Sequence, residues 1–253
     1  MDAEKLRDAW RAEEAAAHIH GWDFSHIHGR YEEEEDLPWD YRRIVLSMTK
    51  PEDRLLDTHT GGGEFLLSLG RPADRTAATE GYPPNVELCR RTLPPWGIDF
   101  RPMGEEDPIP FEDGAFDCVI NRHGAFIIPE LRRVIRPGGL FISQQVGDDN
   151  DRALVELVLP GKANPPSGLN AADQKRAFEA EGFEVLRAED HFGSIRFFDV
   201  GALVWFARII EWEFRDFSVD ACFDRLMEAQ ARLERDGALE GRTHRYLIVA
   251  RRK

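Results

Sequence analysis

The chain has 253 residues, 47 of them acidic and 33 Lys or Arg, for a formal net charge of −14. A chain of this length buries about 70–75% of its unfolded surface, so it needs neither disulfides nor a structural metal to fold. Its 42% hydrophobic and 10% aromatic content excludes disorder throughout, and the acidic balance disfavours non-specific nucleic-acid binding, which relies on neutralising phosphates.

Cys89, Cys118 and Cys222 lie far apart without C-x-x-C spacing, as expected of a reducing compartment. No apolar run reaches the roughly 18 residues of a membrane span. The charged N-terminus MDAEKLRDAWRAEEAAAHIH lacks the apolar stretch of a signal peptide. The expected location is cytoplasmic.

In chain order, residues 1–20 read as a helix rich in Ala, Glu and Arg, followed by the loop GWDFSHIHGRY and an acidic run from Glu32 to Asp36 read as a solvated face or loop. LPWDYRRIVLSMTKP reads as a second helix, stopped by Pro51. From residue 54 the period changes. RLLDT (54–58), TAATEG (76–81), IDFRPM, FDCVINRH (116–123) and GLFISQQVG (139–147) read as buried strands. EFLLSLG (64–70), PPNVELCRRTLPPWG and IIPELRRVIRPGG read as the helices between them. Strand and helix alternating on short links predict a parallel sheet covered on both faces.

Beyond residue 150 the alternation loosens. AADQKRAFEAEG is a helix, FEVLRAEDHFGSIRFFD one or two strands, GALVWFARIIEWEF an apolar helix, ACFDRLMEAQARLERDG an amphipathic one and THRYLIVARR a last strand. The expected division is an N-terminal helical extension or lid over residues 1–50, then one α/β domain over 51–253. Cap helices at about 199–237 are expected before the last strand.

The chemistry concentrates at strand ends. The first strand of the sheet runs into Asp57-Thr58-His59-Thr60-Gly61-Gly62-Gly63-Glu64, and the second ends in Glu80 and Gly81. Glycines let the backbone approach a ligand with no Cβ in the way, and Glu80 could accept hydrogen bonds from ribose hydroxyls. The dinucleotide fingerprint G-x-G-x-x-G fails here, since the register Gly61, Gly63, Leu66 lacks the third glycine. The preceding carboxylate would repel a pyrophosphate. It suits a ligand bearing a cation, such as S-adenosylmethionine (SAM).

The segments LLDTHTGGGEF, AATEGYPPN, EEDPIPFEDGAFDCVINRH and LRRVIRPGGLFISQQVG resemble, in order and spacing, the motifs of class I SAM-dependent methyltransferases over residues 52–147. The resemblance implies a doubly wound, mostly parallel seven-stranded sheet of the Rossmann-like type. It also implies SAM as cofactor, with S-adenosylhomocysteine (SAH) as product. Asp57, Gly61 and Gly63 then correspond to the loop under the methionyl part and Glu80 to the ribose acid. Glu105 corresponds to the acid that contacts the adenine amino group, Glu106 to the neighbour offering a backbone N–H, and Asn121 to a strand-end residue facing the transfer site. The chain departs from D-x-G-x-G-x-G at the first glycine, which is His59.

Methyl transfer needs a base only where the acceptor must lose a proton. His123, one residue beyond the strand, is the best placed imidazole, ahead of His59 and His191; a polar loop role for it is the alternative. His18, His20, His26 and His28 form two H-x-H pairs, but no carboxylate or cysteine spacing supports a metal site. The N-terminal aromatics Trp22, Phe24, Tyr31, Trp39 and Tyr41, with Arg30, suit a lid or a packed extension. The apolar helix covers an acceptor pocket, forms a homodimer face or packs in the core; its Trp205, Phe206 and Trp212, with Phe197 and Phe198, would suit a flat acceptor. The expected function is methyl transfer to a small molecule by in-line displacement. An RNA base methyltransferase and a non-catalytic SAM-binding protein stand as alternatives, with a nicotinamide dehydrogenase further off.

Overall fold

A computed structural model of the chain describes residues 2–18, 23–34 and 36–253. Helix α1 (Ala3–Ala15) starts on Asp2, whose carboxylate accepts from the Glu4 N–H at 3.2 Å, and it buries Leu6 and Trp10. Strand β1 (Tyr31–Glu33) follows, then α2 (Tyr41–Met48), capped by Asp40 through the Arg43 N–H at 2.9 Å.

The alternating region comprises β2 (Leu55–Thr58), α3 (Glu64–Ser68), β3 (Thr76–Glu80), α4 (Pro83–Thr92), β4 (Asp99–Pro102), β5 (Phe116–Arg122), α5 (Ile128–Val134) and β6 (Ile135–Val146). Next come α6 (Arg152–Val158), α7 (Ala171–Ala180), β7 (Phe183–Phe197), α8 (Val200–Ile209), α9 (Phe223–Asp236) and β8 (Leu239–Arg252).

Two compact units emerge, each discontinuous in sequence. The larger holds Pro38–Gly147, Gly168–His191 and Arg245–Lys253. Within it β2 pairs in parallel with both β3 and β5, β3 with β4, and β5 with β6, while β8 runs antiparallel to β6. β2 and β3 are buried along their whole length, as central parallel strands must be. The core of this unit includes Leu56, Val119, Phe141, Phe178, Phe183 and Ile248.

The strand order is β1-β7-β8-β6-β5-β2-β3-β4. The chain steps outward from β2 to β4 and then returns to the other side of β2 with β5, so the order reverses between β2 and β5. In open α/β sheets that reversal opens a crevice beyond the carboxyl ends of the strands.

The other unit holds Met1–Leu37, Asp148–Ser167 and Phe192–His244. Its core is built on α8, whose residues from Val200 to Ala207 are all buried. Trp205, Phe206 and Phe197 belong to this core, whereas Trp212 is 52% exposed. Arg30 pairs bidentately with Asp199 at 2.8 Å and with Glu13 at 2.7 Å. His26 meets Glu13 at 2.8 Å and stacks on Trp205.

Three features correct the sequence reading. Among the described residues the sheet has eight strands rather than seven, because part of the acidic run forms β1, which pairs antiparallel with β7. Tyr31 stacks on Phe197 there at 5.8 Å, and charged residues are tolerated because an edge strand keeps one side in solvent. Helix α6, in a stretch to which the sequence reading assigns no element, forms because its short apolar face buries Leu154, Val155 and Val158. Helix α5 stops at Val134, and Pro137-Gly138-Gly139 lies within β6 at an irregularity of the β5 ladder. His20, Trp22 and Glu35 lie outside the described residues. Among the described residues no helix is long and apolar enough to cross a membrane, and Cys89, Cys118 and Cys222 are buried free thiols.

Candidate active site

The glycine loop links the ends of β2 and β3. Thr60 donates its N–H to the Thr79 carbonyl at 2.9 Å, and Gly61 donates its N–H to Glu80 Oε2 at 2.7 Å. Glu80 Oε1 accepts from Gly81 N at 2.9 Å and Tyr82 N at 2.8 Å. A carboxylate offers about four lone-pair sites, so three backbone donors leave it room for one hydroxyl without rearrangement. Gly61 (φ +66°) and Gly63 (φ +86°) hold left-handed backbone, which glycine adopts without strain. A Cβ on Gly61 would point into open space, so the loop presents bare backbone.

Asp57 and Glu80 end adjacent parallel strands and are 3% and 4% exposed, yet their surroundings differ. Asp57 accepts from the Thr60 hydroxyl at 2.6 Å, and among the described residues no backbone N–H donates to it as three do to Glu80. Burial pushes its carboxyl up to about 7; Glu80 adds to the rise, while Thr60 and Arg122 oppose it. Arg122 lies over the Phe65 ring at 4.6 Å.

Asn121, at the end of β5, is fully buried and fully engaged. Its Nδ2 donates to Thr58 Oγ1 at 3.0 Å and the Thr58 carbonyl at 3.2 Å. Its Oδ1 accepts from Gly124 N at 3.2 Å and from Gln145 Nε2. It ties the β2 and β5 ends together and has no polar atom left over for a ligand. Tyr41, expected in a lid, donates its hydroxyl to the Asn121 and Ile142 carbonyls at 3.1 and 2.9 Å. Trp39 donates its indole N–H to Gln144 at 2.9 Å.

A shallow, partly open cleft lies beside these strand ends. Its apolar wall is Met103, Ile109, Ala125, Phe126, Ile127 and Leu131, and its polar residues are Thr58, His59, Glu105, Asp107 and Glu130. His59 has left-handed backbone (φ +53°). Burial lowers the pKa of its imidazole against the pull of Glu80 and Glu105, so the ring is neutral near pH 7. Glu105 lines the cleft from the turn after β4, which Asp107 closes through Gly104 N at 2.8 Å. Glu106, exposed on that turn, does not line the cleft.

His123 follows β5 with φ +64°, and its Nε2 lies 3.4 Å from the Gln144 amide nitrogen. Burial of the ring, with Arg245 and Arg122 nearby, lowers its pKa. The residue as a whole keeps an exposed surface. His191 meets the Trp39 ring edge-on at 6.3 Å. Thr60, Gly124 and Gln145 went unread in the sequence. Thr60 had a local signal, three residues after Asp57, but the other two act through tertiary contacts. Among the described residues no three His, Cys, Asp or Glu gather as a metal site.

A reversed strand order, a glycine loop closed by an acid and a cleft at the switch point are the features of an open, doubly wound Rossmann-like α/β fold. Residues 56–143, about a third of the chain, match a family described as "Methyltransferase domain". It is 33% identical over 118 residues to demethylmenaquinone methyltransferase of Thermus thermophilus, covering 42% of this chain and 53% of that protein. It is 34% identical over 113 residues to a protein named probable phthiotriol/phenolphthiotriol dimycocerosates methyltransferase 2 of Mycobacterium ulcerans, covering 40% and 42% respectively. The chain thus spans about half the length of the curated relatives it matches.

Among solved structures, a putative methyltransferase from Bacillus halodurans aligns with a TM-score of 0.57 and 17% identity, covering 84% of this chain and 98% of that one. A functionally unknown protein from Deinococcus radiodurans aligns over both full lengths with a TM-score of 0.59 and 16% identity. These likenesses concern the fold.

Proposed function

We propose that the protein is a SAM-dependent methyltransferase acting on a small-molecule acceptor. The observation that carries this reading is the pair of buried acids, Asp57 and Glu80, ending adjacent parallel strands around a bare glycine loop at the switch point. SAM would supply an electrophilic methyl group on a sulfonium, transferred in one in-line displacement that leaves a thioether.

The residues present fit that group. Gly61 and Gly63 would let backbone approach the methionyl part, Asp57 would face its cationic charge, and Glu80 would accept a ribose hydroxyl on its remaining lone pair. Gly81, whose bare Cα packs against the Met103 carbonyl, would keep that edge open. Glu105 would accept from a base amino group, with the Glu106 backbone beside it. The protein's task is to align donor and acceptor and exclude water. Asn121 acts as a positioning residue by tying Thr58 to Gly124 and Gln145. Where an acceptor must lose a proton, His123 is the strand-end imidazole assigned to take it.

The relatives are named for demethylmenaquinone and phthiotriol substrates, which supports a small-molecule acceptor. The net charge of −14 supports it against RNA. The test is SAH accumulation when the protein is incubated with SAM and a panel of lipophilic small molecules, against an RNA arm at varied salt. Turnover with a small molecule supports the reading. Salt-sensitive turnover on RNA alone, or SAM binding with no turnover on either arm, would replace it.

A further inference from the structure

His59 has a backbone cost, and its imidazole makes no hydrogen bond or ion pair among the described residues to offset it. A non-glycine residue with left-handed backbone is strained, and glycine at this position would carry no such strain. Its neighbourhood is adapted to the side chain: a Cβ on Gly124 would stand 2.6 Å from His59 Cβ and 3.1 Å from His59 Cγ. The glycine missing at position 59 is matched by one across the cleft.

The polar residues of the cleft divide into two sets. Thr58 accepts from Asn121, Asp107 accepts from Gly104 N, and Glu130 accepts from Ile109 N at 2.8 Å while pairing with Arg133 at 2.7 Å. The imidazole of His59 and the carboxylate of Glu105 have no hydrogen-bond or ion-pair partner among the described residues. His59 is half-buried and Glu105 exposed at the edge of the cleft, where both can orient a ligand laid against its apolar wall. A carboxylate accepts only, and a neutral imidazole offers one donor and one acceptor. A flat heterocycle with an amino group and ring nitrogens on its edge, an aminopurine, satisfies both while its faces meet Met103, Ile109 and Phe126.

We infer that His59 is a specificity-determining residue that reads the purine base of the bound nucleoside together with Glu105, with Gly124 giving it the room to do so. The inference rests on the SAM-binding reading above. It assigns this loop a side-chain contact to the base that glycine could not make.

The test compares SAH and its inosine counterpart, S-inosylhomocysteine, by calorimetry on the full chain and on His59→Gly, with thermal unfolding alongside. The full chain is expected to prefer SAH by tenfold or more. His59→Gly is expected to lose tenfold or more of SAH affinity and part of that preference while unfolding at the same or a higher temperature, since glycine relieves the strain. Gly124→Ala is expected to weaken SAH binding more in the parent, where its Cβ meets both His59 and Asn121, than in His59→Gly, where only the Asn121 contact at 3.0 Å remains. Equal or tighter SAH binding by His59→Gly would overturn the inference and leave the SAM reading standing. Failure of the parent to bind SAH at all would overturn both.

Discussion

Glu80 closes the loop that it serves: its Oε2 takes the Gly61 N–H at 2.7 Å across the β2–β3 gap, while Oε1 holds Gly81 and Tyr82 at the start of α4. The acid assigned to the ribose is therefore also the clamp that shapes the glycine turn. Replacing it with Gln turns one acceptor into a donor facing backbone N–H groups. Glu80→Gln is expected to cost about 1–3 kcal/mol of stability, the penalty of a buried donor left unsatisfied, as measured by denaturant unfolding.

Asp57 provides a pH signature. Its carboxyl rises from 3.8 to about 7 in the folded chain, so the folded state holds a proton that the unfolded state releases. The stability this contributes is present below about pH 4 and is lost as pH rises through about 7. Asp57→Asn removes that term. The variant is expected to gain stability relative to the parent as pH climbs from 5 to 8, with a slope difference approaching one proton. Parallel pH profiles for the two proteins would count against a buried protonated Asp57.

Asn121 is expected to behave as a structural tie. Asn121→Ala leaves the Gly124 N–H without its acceptor and Thr58 without its donor, and removes one of the acceptors of the Gln145 amide, which keeps Ser143 Oγ and the Gly124 carbonyl. A loss of about 2–4 kcal/mol follows from several unsatisfied buried groups, lowering the melting temperature by several degrees.

Asp199 both caps α8, through Ala202 N at 2.8 Å, and receives Arg30 bidentately. Asp199→Ala is expected to cost about 2 kcal/mol, combining a lost N-cap with a partly exposed ion pair. Asp199→Asn, which keeps an acceptor for the cap, is expected to recover about half. Denaturant midpoints of the three proteins decide this.

Much of the fold was legible because β2, β3, β5 and β6 are short apolar runs whose ends carry glycine or acid, and β2 and β3 are buried on both faces. β1 was not, because Glu32 and Glu33 pair at an edge where composition carries no apolar signal. Glu80 and Glu105 could be read from local motifs, and they do meet the loop and the cleft. What escaped was tertiary. The packing of Gly124 against His59 and the consumption of Asn121 by Thr58, Gly124 and Gln145 depend on segments far apart in sequence. The inversion between Asp57, short of donors, and Glu80, rich in them, likewise depends on backbone N–H directions that no side-chain pattern encodes.

The most direct test of the account is a calorimetric titration of the purified chain with SAM and SAH, beside Glu80→Ala. The account predicts micromolar binding of both ligands by the parent, weakened tenfold or more by the substitution, about 1.4 kcal/mol. Binding of neither ligand by a folded parent, or equal binding by Glu80→Ala, would contradict it.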